Sequence, residues 1–83
     1  MIFNLFTFEF QEGPYHRAGR KLRDARKAAG VSQAKLAADV GISMRTLSKY
    51  ETGERDITIA QAATVYRLAK ALGVTIEHLL DFE

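Results

Sequence analysis

The sequence predicts an all-α fold: five short helices in one small domain, preceded by a single β-strand. Three observations carry that prediction. From Tyr15 onward, apolar residues recur at the spacing of helices that each bury one face. Glycines and hydroxyl-bearing residues punctuate these stretches where helices stop and start. Residues 1–12, MIFNLFTFEFQE, alternate with period two instead.

Within that first stretch Ile2, Asn4, Phe6, Phe8 and Phe10 fall on one side, and Thr7, Glu9 and Gln11 on the other. Aromatic enrichment suits a strand, although Phe3, Phe6 and Phe10 also fit a helical stripe. Strand is the expectation for residues 1–13, with residues 14–83 as the helical domain. Gly13-Pro14 ends the strand, and Pro14 suits the first turn of a helix, where its missing N–H costs nothing.

The first helix is expected from about Tyr15 to Ala29, with Ala18, Leu22, Ala25 and Ala29 inward and Gly30 as its stop. Gly19 inside it costs about 1 kcal/mol relative to alanine. It marks either a close helix contact or a later start. Ser32 caps the second helix, whose apolar stripe is Leu36, Ala37 and Val40. Gly41 stops it and can take positive φ without a Cβ clash. Ser43 caps the third helix, which turns Leu47 and Tyr50 inward and ends at Thr52-Gly53. A loop follows from Glu54 to about Thr58, then a longer helix from about Ala60 to Leu72, stopped by Gly73. Its apolar face holds Val65, Leu68, Ala69 and Leu72. A last short helix, from Thr75 to about Leu80, has Thr75 as its cap and Ile76, Leu79 and Leu80 as its buried side.

Composition narrows the function. The chain has 83 residues and no cysteine, which excludes disulfides and thiolate metal sites and suits a reducing compartment. His16 and His78 lack the spacing of metal ligands, so no metal and no cofactor are expected. No apolar run reaches membrane-spanning length, and the start lacks a cationic leader and a small-residue cleavage site; a cytoplasmic protein is expected. The net charge of +2 conceals an asymmetry: residues 16–55 carry +6 and the remainder −4. Arg17 to Lys27 alone reads as a solvated helix face; the coincidence of the whole basic block with the two-helix segment from Ser32 to Glu51 points to a phosphate-facing surface.

The basic block contains the most informative segment, Ser32 to Glu51, SQAKLAADVGISMRTLSKYE. A short turn between two helices makes them cross steeply and leaves one face of the second projecting outward. With Leu47 and Tyr50 inward, that face carries Met44, Arg45, Ser48 and Lys49. A DNA major groove admits one helix, and residues near its amino terminus reach base edges. Arg45 suits a bidentate contact to guanine, a pairing that discriminates by about 1–3 kcal/mol. Met44 suits a thymine methyl, and Lys49 suits a base or a phosphate. Gln33, in the first turn of the second helix, stands where free N–H groups and the helix dipole favour an anion. Ser32, Lys35, Thr46 and Arg55 are further phosphate neighbours, with Arg17, Arg20 and Lys21 as weaker candidates. Glu51 is different: an acid at a helix carboxyl end, beside an inward tyrosine, needs a partner.

From Gly19 to Leu80 the chain resembles a DNA-binding domain of the phage-repressor (Xre/Cro-like) helix-turn-helix family. The resemblance is carried by Leu22, Arg26 and Gly30, then Ser32-Gln33, Leu36-Ala37, Gly41-Ile42-Ser43, Leu47-Ser48, Tyr50-Glu51 and Gly53-Glu54-Arg55. Leu68-Ala69, Leu72-Gly73-Val74 and Leu79-Leu80 complete it. It implies a lambda-repressor-like fold and double-stranded DNA as partner. It also implies base-reading positions at Ser43, Met44, Arg45 and Lys49, a phosphate contact by Gln33, and an ion pair between Arg26 and Glu51. Relative to the commonest family pattern, a few residues are added between Gly53 and Leu68, and Ile57 replaces the usual proline. Either the loop is longer or the fourth helix gains most of a turn.

These readings lead to a sequence-specific DNA-binding transcriptional regulator, a small repressor that occupies its operator. Half-site readers need two recognition helices, so a homodimer is expected, with the strand bearing Ile2, Phe6, Phe8 and Phe10 pairing with its copy. The same strand would otherwise fold back on its own helices or add to another protein. The alternative function is an antitoxin-like protein that binds operator DNA and neutralises a toxin through another surface; a helical adaptor without DNA affinity ranks third. An enzyme is not expected, for no nucleophile–base pairing, metal-ligand cluster or phosphate-cradling glycine loop is evident.

Overall fold

The computed structural model describes residues 14–82. The strand expected over residues 1–13, with Ile2, Phe6, Phe8 and Phe10, lies outside the described residues. Those described form five α-helices: α1 (His16–Ala28), α2 (Gln33–Val40), α3 (Met44–Thr52), α4 (Ala62–Leu72) and α5 (Ile76–Leu79). A single 3₁₀ turn, Ile57–Ile59, joins α3 to α4.

Each of these six elements sends one large side chain fully into the centre: Leu22, Leu36, Leu47, Ile57, Leu68 and Leu79. Complete burial of such a side chain is worth about 1.5–3 kcal/mol, so every element is held by the same core. Ala18, Ala37, Val40, Tyr50, Val65, Ala69, Leu72 and Leu80 surround them. Helix α1 packs chiefly on α3 and also on α5, while α2 packs on α3 and α4.

The α1–α3 crossing is unusually close because Gly19 has no side chain. A Cβ there would stand 2.3 Å from the Tyr50 carbonyl oxygen and 2.8 Å from that of Glu51. Gly19 is therefore a helix contact inside α1, not a late helix start. Gly53 completes the joint. Its φ of +81° ends α3, and a Cβ on it would meet the His16 nitrogen at 2.6 Å. The Gly53 carbonyl accepts a 3.0 Å bond from the Tyr15 N–H, so the end of α3 satisfies an orphan donor at the start of α1.

Three expectations need correction. Helix α4 starts at Ala62 rather than near Ala60, because Ala60 and Gln61 are extended, with ψ of 162° and 140°. The connection before α4 instead forms the 3₁₀ turn, which Asp56 caps by accepting from the Thr58 N–H at 2.9 Å and the Thr58 hydroxyl at 2.6 Å. That turn is what drives Ile57 into the core. Ala29, expected inward, is exposed, since it lies past the last turn of α1. Ile76, also expected inward, is 39% exposed. Helix α5 is barely one turn long and buries Leu79, leaving Ile76 at the rim of a shallow depression shared with Ala60, Ala62 and Val65.

Candidate nucleic-acid interface

Two serine caps set the geometry of the exposed segment. Ser32 Oγ accepts from the Lys35 N–H at 3.1 Å and opens α2; Ser43 Oγ accepts from the Thr46 N–H at 3.0 Å and opens α3. Each cap is worth about 1 kcal/mol. Between the helices Gly41, at φ +83°, closes α2, and the N–H groups of Gly41 and Ile42 both bond the Ala37 carbonyl, at 2.9 and 3.0 Å. The backbone thus holds the turn at its α2 end and the Ser43 side chain holds it at its α3 end, so α3 leaves it in a fixed direction.

With Leu47 and Tyr50 buried, the other side of α3 faces outward. Ser43, Met44 and Arg45 are exposed, Met44 at 52%; Thr46, Ser48 and Lys49 are half-buried. A methionine so exposed at the first position of a capped helix contributes nothing to the core, yet gives an apolar surface next to the Arg45 cation. The Ser43 hydroxyl also donates to Thr46 Oγ1 at 2.9 Å, so it is committed at the cap, whereas the Thr46 hydroxyl keeps its own proton for an outside acceptor. Lys35 pairs with Asp39 at 3.1 Å, one turn on. Both side chains are well exposed, and such a pair is worth only about 0.3–0.5 kcal/mol, so Lys35 can exchange its partner for a phosphate at little cost. Arg55 is exposed just beyond α3, its N–H bonded to the Lys49 carbonyl at 3.2 Å.

Behind this face lies a buried charged network. Arg26 Nε donates to Glu51 Oε2 at 2.6 Å and its Nη2 to Glu51 Oε1 at 3.1 Å, a two-pronged contact. Arg26 Nη1 donates to the Val31 carbonyl at 2.9 Å. The Glu51 side chain is 2% exposed and that of Arg26 12%. The hydrogen bonds to Glu51 and the attraction of its charge hold the Arg26 guanidinium above its ordinary pKa, against the opposing effect of burial. Gln33 joins the same carboxylate, its Nε2 donating to Glu51 Oε1 at 3.0 Å. Residues from α1, α2 and α3 thus meet on one carboxylate.

The Gln33–Glu51 bond is not legible in the sequence, because nothing in a residue separation of 18 marks the two as neighbours. Nor are the ion pairs made by Asp81. Asp81, just past α5, receives Arg17 Nε at 3.2 Å and Lys21 Nζ at 3.1 Å. Arg17 and Lys21 share a helix face one turn apart, a hint that an acid belongs there, but Asp81 lies at the far end of the chain. Among the described residues no group of three His, Asp or Glu could hold a metal ion, and no helix is long and apolar enough to cross a membrane.

A capped outward helix, presented by a second helix through a glycine turn and braced from behind by a third, defines a helix-turn-helix protein. Comparison with known proteins agrees: the helix-turn-helix family model matches residues 22–79, and the chain belongs to that family. It is 37% identical over 63 residues to a transcriptional regulator in the ATPase CF(0) region of Rhodospirillum rubrum, covering 76% of this chain and 56% of that one. It is 36% identical over 59 residues to the cryptic phage CTXphi transcriptional repressor RstR of Vibrio cholerae, covering 71% and 50%. The chain therefore spans only about half the length of these two relatives. Among solved structures it is similar to the restriction-modification controller protein C.AhdI from Aeromonas hydrophila, with a TM-score of 0.69, 29% identity, and coverage of 78% of this chain and 94% of that one.

Proposed function

We propose that the protein is a sequence-specific DNA-binding transcriptional regulator, a small cytoplasmic repressor with no catalytic role, that inserts α3 into the major groove of its operator. The observation that carries this reading is the outward face of α3. Exposed Met44 and Arg45 follow a serine cap at the end of a helix whose other side is buried. Met44, Arg45 and Lys49 read base edges, joined by Ser48, while Ser43, its hydroxyl engaged with Thr46, sets the start of α3 beside them. Gln33 anchors the DNA backbone at the start of α2, with Ser32, Lys35, Thr46 and Arg55 as further phosphate contacts. The relatives' names support regulation, and that of the Vibrio cholerae protein supports repression.

Occupying a two-fold operator takes two copies of α3 roughly 34–36 Å apart. A homodimer formed through the segment bearing Ile2, Phe6, Phe8 and Phe10 would supply the second copy. Selection of bound sequences from random duplexes at fixed salt tests the whole reading. Enrichment of a palindrome is expected, and its half-site spacing gives the dimer geometry. A pool with no enrichment overturns the proposal.

A further inference from the structure

We propose that Glu51 is a positioning residue for DNA binding: its carboxylate, clamped by Arg26, holds the Gln33 amide in place for a backbone phosphate before DNA arrives. The inference rests on the regulator reading above and deepens it.

A carboxylate offers only acceptors, so the amide must turn its nitrogen, not its oxygen, toward Glu51. Glu51 Oε1 takes both Arg26 Nη2 and Gln33 Nε2, at 3.1 and 3.0 Å, while Oε2 takes Arg26 Nε at 2.6 Å. The carboxylate cannot turn away without breaking the clamp, because Arg26 is itself fixed to the Val31 carbonyl at 2.9 Å. One Gln33 Nε2 proton is thereby spent, and the second remains to donate outward. Gln33 is also the first residue of α2, where unpaired backbone N–H groups favour the same anion. A glutamine side chain free to rotate would pay for its ordering on binding, at about two- to tenfold in affinity. This one is ordered by the fold. The buried ion pair, costly as a means of stability alone, has a second use in setting the anchor.

The test removes the holder while keeping the fold. Replacing both charges by apolar residues of similar volume, Arg26→Met with Glu51→Leu, leaves no buried charge unpaired. Affinity is measured by fluorescence anisotropy on the duplex recovered by selection and on a random-sequence duplex, alone and combined with Gln33→Ala. The paired replacement should lose about two- to tenfold on both duplexes and lose nothing further once Gln33 is alanine. An unchanged affinity, or an equal loss in the Gln33→Ala background, overturns the assignment. Should the paired variant fail to fold, wild-type protein decides by NMR. On titration with duplex, the Gln33 Nε2 proton facing Glu51 should keep its chemical shift while its partner moves. Its return to the shift of a free glutamine amide overturns the proposal. Wild-type protein that binds neither duplex overturns the regulator reading itself, whereas binding with additive losses overturns only the role of Glu51.

Discussion

Gly19 of α1 lies directly against the backbone of Tyr50 in α3, so closely that a single methyl group at position 19 would stand 2.3 Å from the Tyr50 carbonyl oxygen. Helix propensity and packing make opposite demands here. Alanine in a helix interior is favoured over glycine by about 1 kcal/mol, so Gly19→Ala would stabilise an isolated α1. Within the fold, the neighbours are carbonyl oxygens rather than flexible side chains, and they cannot step aside unless α1 and α3 separate. Over-packing of this kind costs typically about 1–3 kcal/mol. Gly19→Ala should lower the urea midpoint with little change in slope; a raised midpoint would show that the crossing relaxes easily.

The Arg26–Glu51 pair spans the same crossing. Removing one partner strands the other charge in a buried place, a change that costs about 3–5 kcal/mol in comparable pairs. That is a large share of the stability of a domain this small. Arg26→Ala should therefore show as a fall in melting temperature first, with weaker DNA binding following mainly from loss of folded protein and, in the molecules that stay folded, from release of Gln33. A variant that keeps its melting temperature and loses affinity well beyond the about two- to tenfold expected through Gln33, with the same loss in the Gln33→Ala background, would place Arg26 at the DNA instead of in the scaffold.

Asp81 offers a test by pH. The hydrogen bond from Lys21 holds its carboxyl below the ordinary carboxylate value, helped by the charges of Arg17, Lys21 and His78 and opposed by desolvation. A folded-state pKa below the unfolded one means stability that is fully present above the unfolded value, about 3.9, and lost as pH falls through the lower folded value. Asp81 has a φ of +65°, which asparagine also tolerates, so Asp81→Asn removes the charge without straining the turn. The variant should be less stable than wild type at pH 7, and the gap should close in acid below the folded-state pKa. A gap that persists there would mean that packing at the end of α5, not the ion pairs with Arg17 and Lys21, is what the substitution disturbs.

Much of this architecture can be read locally. Ser32, Gly41, Ser43 and Gly53 mark helix ends because capping and positive φ are properties of one residue and its near neighbours, and the buried stripes of α2 and α3 follow from helical spacing. Failures occur where the deciding partner is distant. Ile57 enters the core only because Asp56 folds the chain into a 3₁₀ turn ahead of α4. Gln33 bonds Glu51 because α1 fixes the carboxylate through Arg26, and Asp81 meets Arg17 and Lys21 because α5 docks on α1. The outward face of α3 is legible as a surface, but nothing local says what each of its side chains recognises.

Arg45 is where that last question can be answered. It is exposed in the first turn of α3, next to Met44, and its planar guanidinium can address the two acceptors of guanine together. A residue that reads a base should matter only where that base is present. On the duplex recovered by selection, Arg45→Ala should cost about 1–3 kcal/mol and erase the preference at one position of each half-site. Affinity for a random duplex should fall far less, since only a loss of general charge remains. Lys35→Ala is the contrast, because a lysine on phosphate should weaken all duplexes about equally and flatten the salt dependence by about one counterion. If Arg45→Ala behaves like Lys35→Ala, losing affinity evenly with every base preference intact, then Arg45 holds the backbone, and reading passes to Met44, Ser48 and Lys49.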